Sequence, residues 1–250
     1  MARYDFATPR LFVTEALKPG AEISLPKGQA HYLLNVLRLR QGGSVLLFNG
    51  NDGEWLSKIA EPGKRACTLA VASRTRGQTA PCDLHYLFAP LKRARLDYLV
   101  QKATEMGASL LQPVMTARTV SERVNVDRMR ANVIEAAEQC GILSVPEVRA
   151  PVKLVQAIEG WDDGRRLILC DEEAPPGNPL TALARLSPGP LAVMVGPEGG
   201  FAPEERETIR AKPYVTVISL GPRLLRSDTA AVAALALVQA TLGDLNSVNA

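Results

Sequence analysis

The 250-residue chain is poor in the residues that build metal sites and disulfide scaffolds, with four cysteines, two histidines and no C-x-x-C pair. Cys67, Cys82, Cys140 and Cys170 lie far apart, and only His31 and His85 could join them. This spacing gives no zinc signature, so no metal is expected and the thiols read as reduced and mostly buried. Long apolar runs are missing as well. The longest, "AAVAALALVQATLG" from Ala230 to Gly243, is shorter than the roughly 20 residues a bilayer demands and carries a glutamine, so no membrane association is expected. The opening "MARYDFATPR" lacks the apolar stretch of a secretory signal, which makes the cytoplasm the expected compartment. What is present suits a folded globular protein: 46% hydrophobic and 22% charged residues exclude a disordered chain. The net charge is only +3, but it is unevenly spread. Residues 1–80 hold eleven Lys or Arg against six Asp or Glu, and the remainder holds eighteen against twenty. The basic surplus therefore lies in the N-terminal third, where it is compatible with phosphate contacts.

Two rhythms divide the chain. Up to about Ser73, short apolar runs ("RLFVTE", "SVLLFNG", "EWLSKIAE", "ACTLAVAS") punctuated by turn residues predict a small β-barrel, with Asn49–Gly53 as a hairpin turn. One helix is predicted inside it over "KGQAHYLLNVLRLR", residues 27–40. The polar stretch 74–81 reads as a linker. From Cys82 to residue 245, continuous apolar runs ("HYLFAP", "LLQPVM", "RLILCD", "LAVMVG", "YVTVIS") alternate with helical segments, the pattern of an α/β domain with a parallel sheet; residues 246–250 form a tail. Asp127 is placed to cap one of those helices. In such sheets ligands bind beyond the carboxyl ends of the strands.

Two loops at such ends stand out. "LAVMVGPEGGF" ends a buried strand in Gly196, Pro197, Glu198, Gly199 and Gly200, which keeps side chains away from an approaching ligand. Its spacing is neither that of a dinucleotide fingerprint nor that of a phosphate-cradling lysine loop. In "SLGPRLLRSDTA" a strand end passes Arg223 and Arg226 before a small-residue helix begins near Ser227 or Asp228. Because a helix N-terminus is already electropositive, an arginine there points either to an anionic partner or to an ion pair with Asp228 or Glu198.

The ordered pair "VGPEGGF" and "SLGPRLLRSDTA" resembles the motifs of the RsmE family of SPOUT methyltransferases. The resemblance runs through "PRLFV", "HYLLNVLRLR", "KRARLDYLVQKATEMGASLLQPVMTAR" and "AAEQCGILSVPEV". It implies a PUA-like β-barrel (1–73) for RNA recognition and a C-terminal α/β domain (82–245) threaded through a deep trefoil knot. It also implies methylation of N3 of a uridine in 16S ribosomal RNA, on the assembled small subunit, with S-adenosylmethionine as donor. The chain departs from the family pattern at Ala117 in Thr116-Ala117-Arg118 and at Ile142 in Gln139-Cys140-Gly141-Ile142, where the family has Glu and Arg. It also has Ser227-Asp228-Thr229 where Thr-Glu-Thr is usual.

The cofactor residues so implied are Cys170, Val195, Gly196, Pro197, Glu198, Gly199, Gly200, Ser219, Leu220, Gly221, Pro222, Leu224, Leu225 and Arg226. For catalysis, Arg226 with Arg223 is expected to stabilise charge on the uracil oxygens, and Asp228 or Glu198 to orient the arginine or receive the N3 proton. RNA contacts are expected from Arg10, His31, Arg38, Arg40, Lys92, Arg93, Arg95, Lys102 and Arg118. Of these, Lys92, Arg95 and Lys102 share one helical face. The resemblance further implies a homodimer, and the apolar helix from Asp228 to Leu242 suits an interface. Methylation of another base or a ribose 2′-hydroxyl, and a non-catalytic RNA-binding or ribosome-assembly role, are the competing readings.

Overall fold

A computed structural model describes residues 5–62, 67–121 and 123–246. The last four residues of the expected tail, 247–250, lie outside the described residues. Contacts gather the chain into two compact units, residues 1–80 with 137–145, and residues 81–136 with 146–250. The segment 137–145, which the sequence pattern assigns to the large domain, is thus grouped with the N-terminal unit.

The first unit is a five-stranded sheet of β1 (Arg10–Phe12), β2 (Glu22–Leu25), β3 (Ser44–Phe48), β4 (Glu54–Pro62) and β5 (Cys67–Arg76), in the order β1-β3-β4-β5-β2. Every pairing is antiparallel except β1 with β3. Alternation along these strands buries Leu11, Ile23, Val45, Leu47, Ile59, Leu69 and Val71 in one core. Between β3 and β4, the Asn49 side chain accepts from the amides of Asn51 and Asp52, and Gly50 and Gly53 supply the positive φ angles of the turn. β5 runs three residues beyond the predicted barrel boundary, because Arg76 pairs with Glu54 in the ladder; the polar connection begins only at Gly77.

The helix predicted over 27–40 is shorter and irregular. α1 (Lys27–His31) continues as a five-residue π-helix, Tyr32–Val36, and helical structure ends at Leu37, because Arg38 turns into the left-handed region at φ 56°. Ala30 and Leu33 are buried, and Leu34 and Leu39 pack on the same core.

Glu54 organises this unit's polar interior. Its buried carboxylate accepts from Arg10 Nε at 2.7 Å, from Arg76 Nη2 at 2.7 Å and Nε at 3.0 Å, and from the Thr75 hydroxyl at 2.8 Å. Burial alone would raise its pKa, but the donors from Arg76, Arg10 and Thr75 outweigh it and hold the carboxyl below its ordinary value. The same arginines reach the grouped segment: Arg10 donates to the Glu138 carbonyl at 3.2 Å and Arg76 to the Gly141 carbonyl at 2.9 Å. Ile142, at the position where the family pattern has arginine, packs on the apolar cluster of Phe48, Ala137 and Leu143.

The second unit contains β6 (Leu84–Phe88), α2 (Arg93–Glu105), β7 (Leu110–Met115), the start of α3 (Val126–Cys140), β8 (Glu147–Val148), β9 (Val152–Lys153) and α4 (Leu154–Glu159). It continues with β10 (Arg166–Cys170), α5 (Pro179–Leu183), β11 (Leu191–Val195), α6 (Pro203–Arg210), β12 (Val215–Ile218) and α7 (Ser227–Leu242). β2, β8, β9, α4 and α5 escape the sequence pattern because each is too short to carry a periodic signal. All sheet pairings are parallel, in the order β12-β10-β11-β6-β7-β8, with β9 pairing β7 beyond β8. Every residue of β11 is buried, as a strand covered on both faces requires. Of the thiols read as mostly buried, Cys67 and Cys170 are buried and Cys82 half-buried, while Cys140 is exposed at the last turn of α3. Among the described residues no helix is long and apolar enough to cross a membrane.

Candidate functional site

Strand order builds the site. β10 lies between β11 and β12, in register so that Cys170 stands beside both Val195 and Ile218. Three chain segments therefore leave the sheet side by side at its carboxyl edge: one begins at Asp171, one at Gly196, and one at Ser219. They enclose a cavity of about 480 Å³, within the range of small-molecule sites. Every residue proposed from sequence to hold the cofactor lines it except Arg226. Arg226 instead occupies the N-cap position of α7, exposed and without a side-chain capping bond, while Arg223 does line the cavity.

The wall that begins at Gly196 is shaped from several directions. A Cβ on Gly196 would meet the Phe201 ring at 2.7 Å, and the Gly196 carbonyl accepts from the Ser227 hydroxyl at 3.2 Å. The Gly199 carbonyl accepts from Arg118 Nη1 at 2.8 Å. Gly200 sits at φ 68°, and the Glu172 carboxylate occupies the space its Cβ would need, so both backbone and packing require glycine. Glu205 closes the capping box of α6 on the Ala202 amide at 3.0 Å, and its other oxygen accepts from the Ala117 amide at 2.7 Å.

Beneath the cavity lies a buried charge cluster that the sequence pattern did not reveal. The fully buried carboxylate of Asp171 accepts from Arg206 Nε at 3.1 Å and from Arg210 Nη2 at 2.8 Å. Arg206 also engages Glu172 at 3.1 Å and Glu173 at 3.0 Å. A single guanidinium on α6 thereby fixes three consecutive acidic residues after β10, two of which line the cavity. The available signal was the acidic run directly after "RLILC"; no local feature linked it to Arg206. Cys170, at the cavity edge, is held as a neutral thiol, because burial and the Asp171 charge push its pKa up to about 12.

The carboxylates proposed to orient Arg226 have another partner. Arg95 on α2 donates from Nε and Nη2 to the two oxygens of Asp228, at 2.9 and 3.0 Å, and its Nη1 donates to Glu198. Arg95 is near enough because α2 packs beside α7. Hydrogen bonding from Arg95 lowers the Asp228 pKa, which weakens it as a proton acceptor. Neither Asp228 nor Glu198 is bonded to Arg226.

The nine residues proposed for RNA separate into two groups. Arg10 is buried and consumed by Glu54, so it is a structural strut and not a surface cation. Arg95 and Arg118 hold the cavity wall, and Lys102 Nζ is shared by both oxygens of Glu105 at 2.7 Å, near the Tyr98 ring. Pairing within the chain thus engages all four, although Arg118 stays exposed. His31, Arg38, Arg40, Lys92 and Arg93 are exposed, and no carboxylate engages them among the described residues.

Similarity to known proteins matches this geometry. Residues 78–239 match the family model described as "RNA methyltransferase domain", and residues 25–72 match "RNA methyltransferase PUA domain". The ribosomal RNA small subunit methyltransferase E of Rickettsia conorii is 29% identical over 92% of this chain and 94% of its own length. The Synechocystis protein of the same name is 30% identical over 89% and 74%. A Legionella pneumophila protein solved with the bound cofactor SAM superposes with a TM-score of 0.83 at 30% identity, covering 95% of this chain and 99% of that one. The ribosomal RNA small subunit methyltransferase E of Neisseria gonorrhoeae, bound to S-adenosyl methionine, gives 0.81 at 27% identity, covering 94% and 98%. With nearly two-thirds of its length matched by the domain model and its relatives aligned almost end to end, this chain belongs to the RNA methyltransferase family that includes the ribosomal RNA small subunit methyltransferases E.

Proposed function

We propose that this chain methylates N3 of a specific uridine in 16S ribosomal RNA, using S-adenosylmethionine, on the small ribosomal subunit, in the cytoplasm and as a homodimer. The observation that carries the reading is the cavity at the carboxyl edge of β10, β11 and β12. Its glycine-lined walls leave main-chain N–H and C=O groups open to an adenine edge, and its volume suits a cofactor of that size. The bound donor would supply a methyl group already activated by its sulfonium centre.

The residues of this chain then have to favour the ionised uracil and align its N3. Arg223 at the cavity and Arg226 at the exposed cap of α7 are the cations assigned to the negative charge on the uracil oxygens. Asp228 and Glu198 act through Arg95, holding the wall in place. His31, Arg38, Arg40, Lys92 and Arg93 supply the phosphate contacts. The dimer reading is supported by α7, which has no charged residue after Asp228 and leaves Val232, Ala233, Ala236 and Leu237 only half-buried.

The test is methyl transfer from labelled S-adenosylmethionine to assembled small subunits and to free 16S RNA, with the modified nucleotide mapped by mass spectrometry. N3-methyluridine formed on subunits is the expected product. A ribose 2′-O-methyl or another methylated base would replace the acceptor assignment. No transfer despite cofactor binding would favour a non-catalytic RNA-binding role. A monomer mass by light scattering at micromolar concentration would remove the dimer.

A further inference from the structure

The π-helix of the first unit leaves three large apolar side chains uncovered. Tyr32 is 36% exposed, Val36 58% and Leu37 37%, while Ala30 and Leu33 of the same segment are buried in the core. The Leu37 amide donates to the Tyr32 carbonyl at 2.9 Å, so the wider π-turn sets residue 37 one turn above residue 32, and Val36 and Leu37 both follow Tyr32 by about one turn. A continuous α-helix would space these side chains differently. The chain then enters the left-handed region at Arg38, φ 56°, a conformation unfavourable for an arginine.

Two arginines and a histidine frame the apolar group. His31 precedes it and Arg38 and Arg40 follow it; all three are exposed, and among the described residues no carboxylate engages them. Arg10 and Arg76, by contrast, are both spent on Glu54. A protein partner or a second copy would satisfy the apolar groups, but two neighbouring arginines and a histidine able to donate hydrogen bonds favour a polyanion that also offers flat apolar faces. Single-stranded RNA has both.

We propose that Tyr32, with Val36 and Leu37, forms a stacking platform for an unpaired base, while His31, Arg38 and Arg40 hold the flanking phosphates. The first unit would thereby select single-stranded over duplex RNA, since only an unstacked base can lie on the tyrosine ring. This inference rests on the RNA-methylating reading and deepens it by naming the form of RNA engaged.

The test uses the full chain and fluorescence anisotropy with a fluorescein-labelled single-stranded oligouridylate and a labelled RNA duplex. Tyr32→Ala is expected to weaken single-strand binding roughly 5- to 100-fold, the loss typical of one stacked base. Duplex binding and the salt slope should stay unchanged, and Tyr32→Phe should restore affinity. Arg38→Ala with Arg40→Ala should instead flatten the dependence of log affinity on log salt. Tyr32→Ala binding the single strand within twofold of wild type would overturn the platform. So would loss of self-association in Tyr32→Ala, which would assign the face to a second copy. Cofactor titration separates the two readings: a chain that binds RNA through Tyr32 but does not bind S-adenosylmethionine sinks the methylation reading and leaves the platform standing.

Discussion

Replacing Arg95 with methionine removes one guanidinium and should cost the protein cofactor affinity. Arg95 makes two charge-assisted hydrogen bonds to Asp228, whose side chain is 17% exposed, from a side chain itself 30% exposed. Shielded bonds to charged groups are worth about 1.5–3 kcal/mol, and fully exposed pairs about 0–1 kcal/mol. This pair lies between those limits, at roughly 1–2 kcal/mol; the contact with Glu198, half exposed, adds little. Arg95 joins α2 to the N-terminus of α7 and to the wall beginning at Gly196, which also lines the cavity. If that energy holds the wall in its binding shape, Arg95→Met should weaken S-adenosylmethionine binding about 5- to 30-fold. Calorimetric titration of wild type, Arg95→Met, Asp228→Asn and the double variant would measure it, with non-additivity of about 1 kcal/mol or more expected for the pair. Binding of Arg95→Met within twofold of wild type, or full additivity, would refute the assignment of Arg95 as the brace of the wall.

Further outcomes follow from the same geometry. Glu54→Ala leaves Arg10 and Arg76 without their carboxylate in a buried setting, and should destabilise the protein by about 3–5 kcal/mol in urea unfolding. Gly200→Ala meets both an unfavourable positive φ and the Glu172 carboxylate, so cofactor affinity should fall at least tenfold by calorimetry. Asp228 and Glu54 both titrate below their ordinary values in the folded protein. Their stabilising contribution is complete above the unfolded carboxylate values and lost as pH falls through the lower folded ones. Acid unfolding followed by circular dichroism should therefore show a shallower dependence on pH in Asp228→Asn than in wild type. Affinity for RNA should fall steeply with salt, and a salt-independent affinity would remove the phosphate-contact assignment of His31, Arg38, Arg40, Lys92 and Arg93.

Much of the larger unit was legible because buried parallel strands are written as continuous apolar runs, and β10, β11 and β12 stand where "RLILCD", "LAVMVG" and "YVTVIS" place them. The glycine-rich loop at Gly196 was legible by residue type, but the packing that requires glycine there, Phe201 against Gly196 and Glu172 against Gly200, was not. Pairing was not legible. Nothing local to Arg10 distinguishes a buried strut from a surface cation, and nothing local to Arg95 foretells Asp228, 133 residues away. The π-turn at Tyr32–Val36 was equally hidden, because its apolar residues satisfy ordinary helical spacing until the backbone is seen.

The sequence by itself determined which long apolar segments are strands, that the strand ends at Gly196 and Ser219 carry little side chain, and to which family the chain belongs. Those properties depend on residue type and near-neighbour spacing. Only the tertiary structure decided that β10 stands between β11 and β12 and brings Asp171 and Glu172 to the cavity, and that Arg206 and Arg210 pair with them. It also decided which arginines remain at the surface. The physical reason is that a charge finds its partner by distance in space, and only the fold sets that distance.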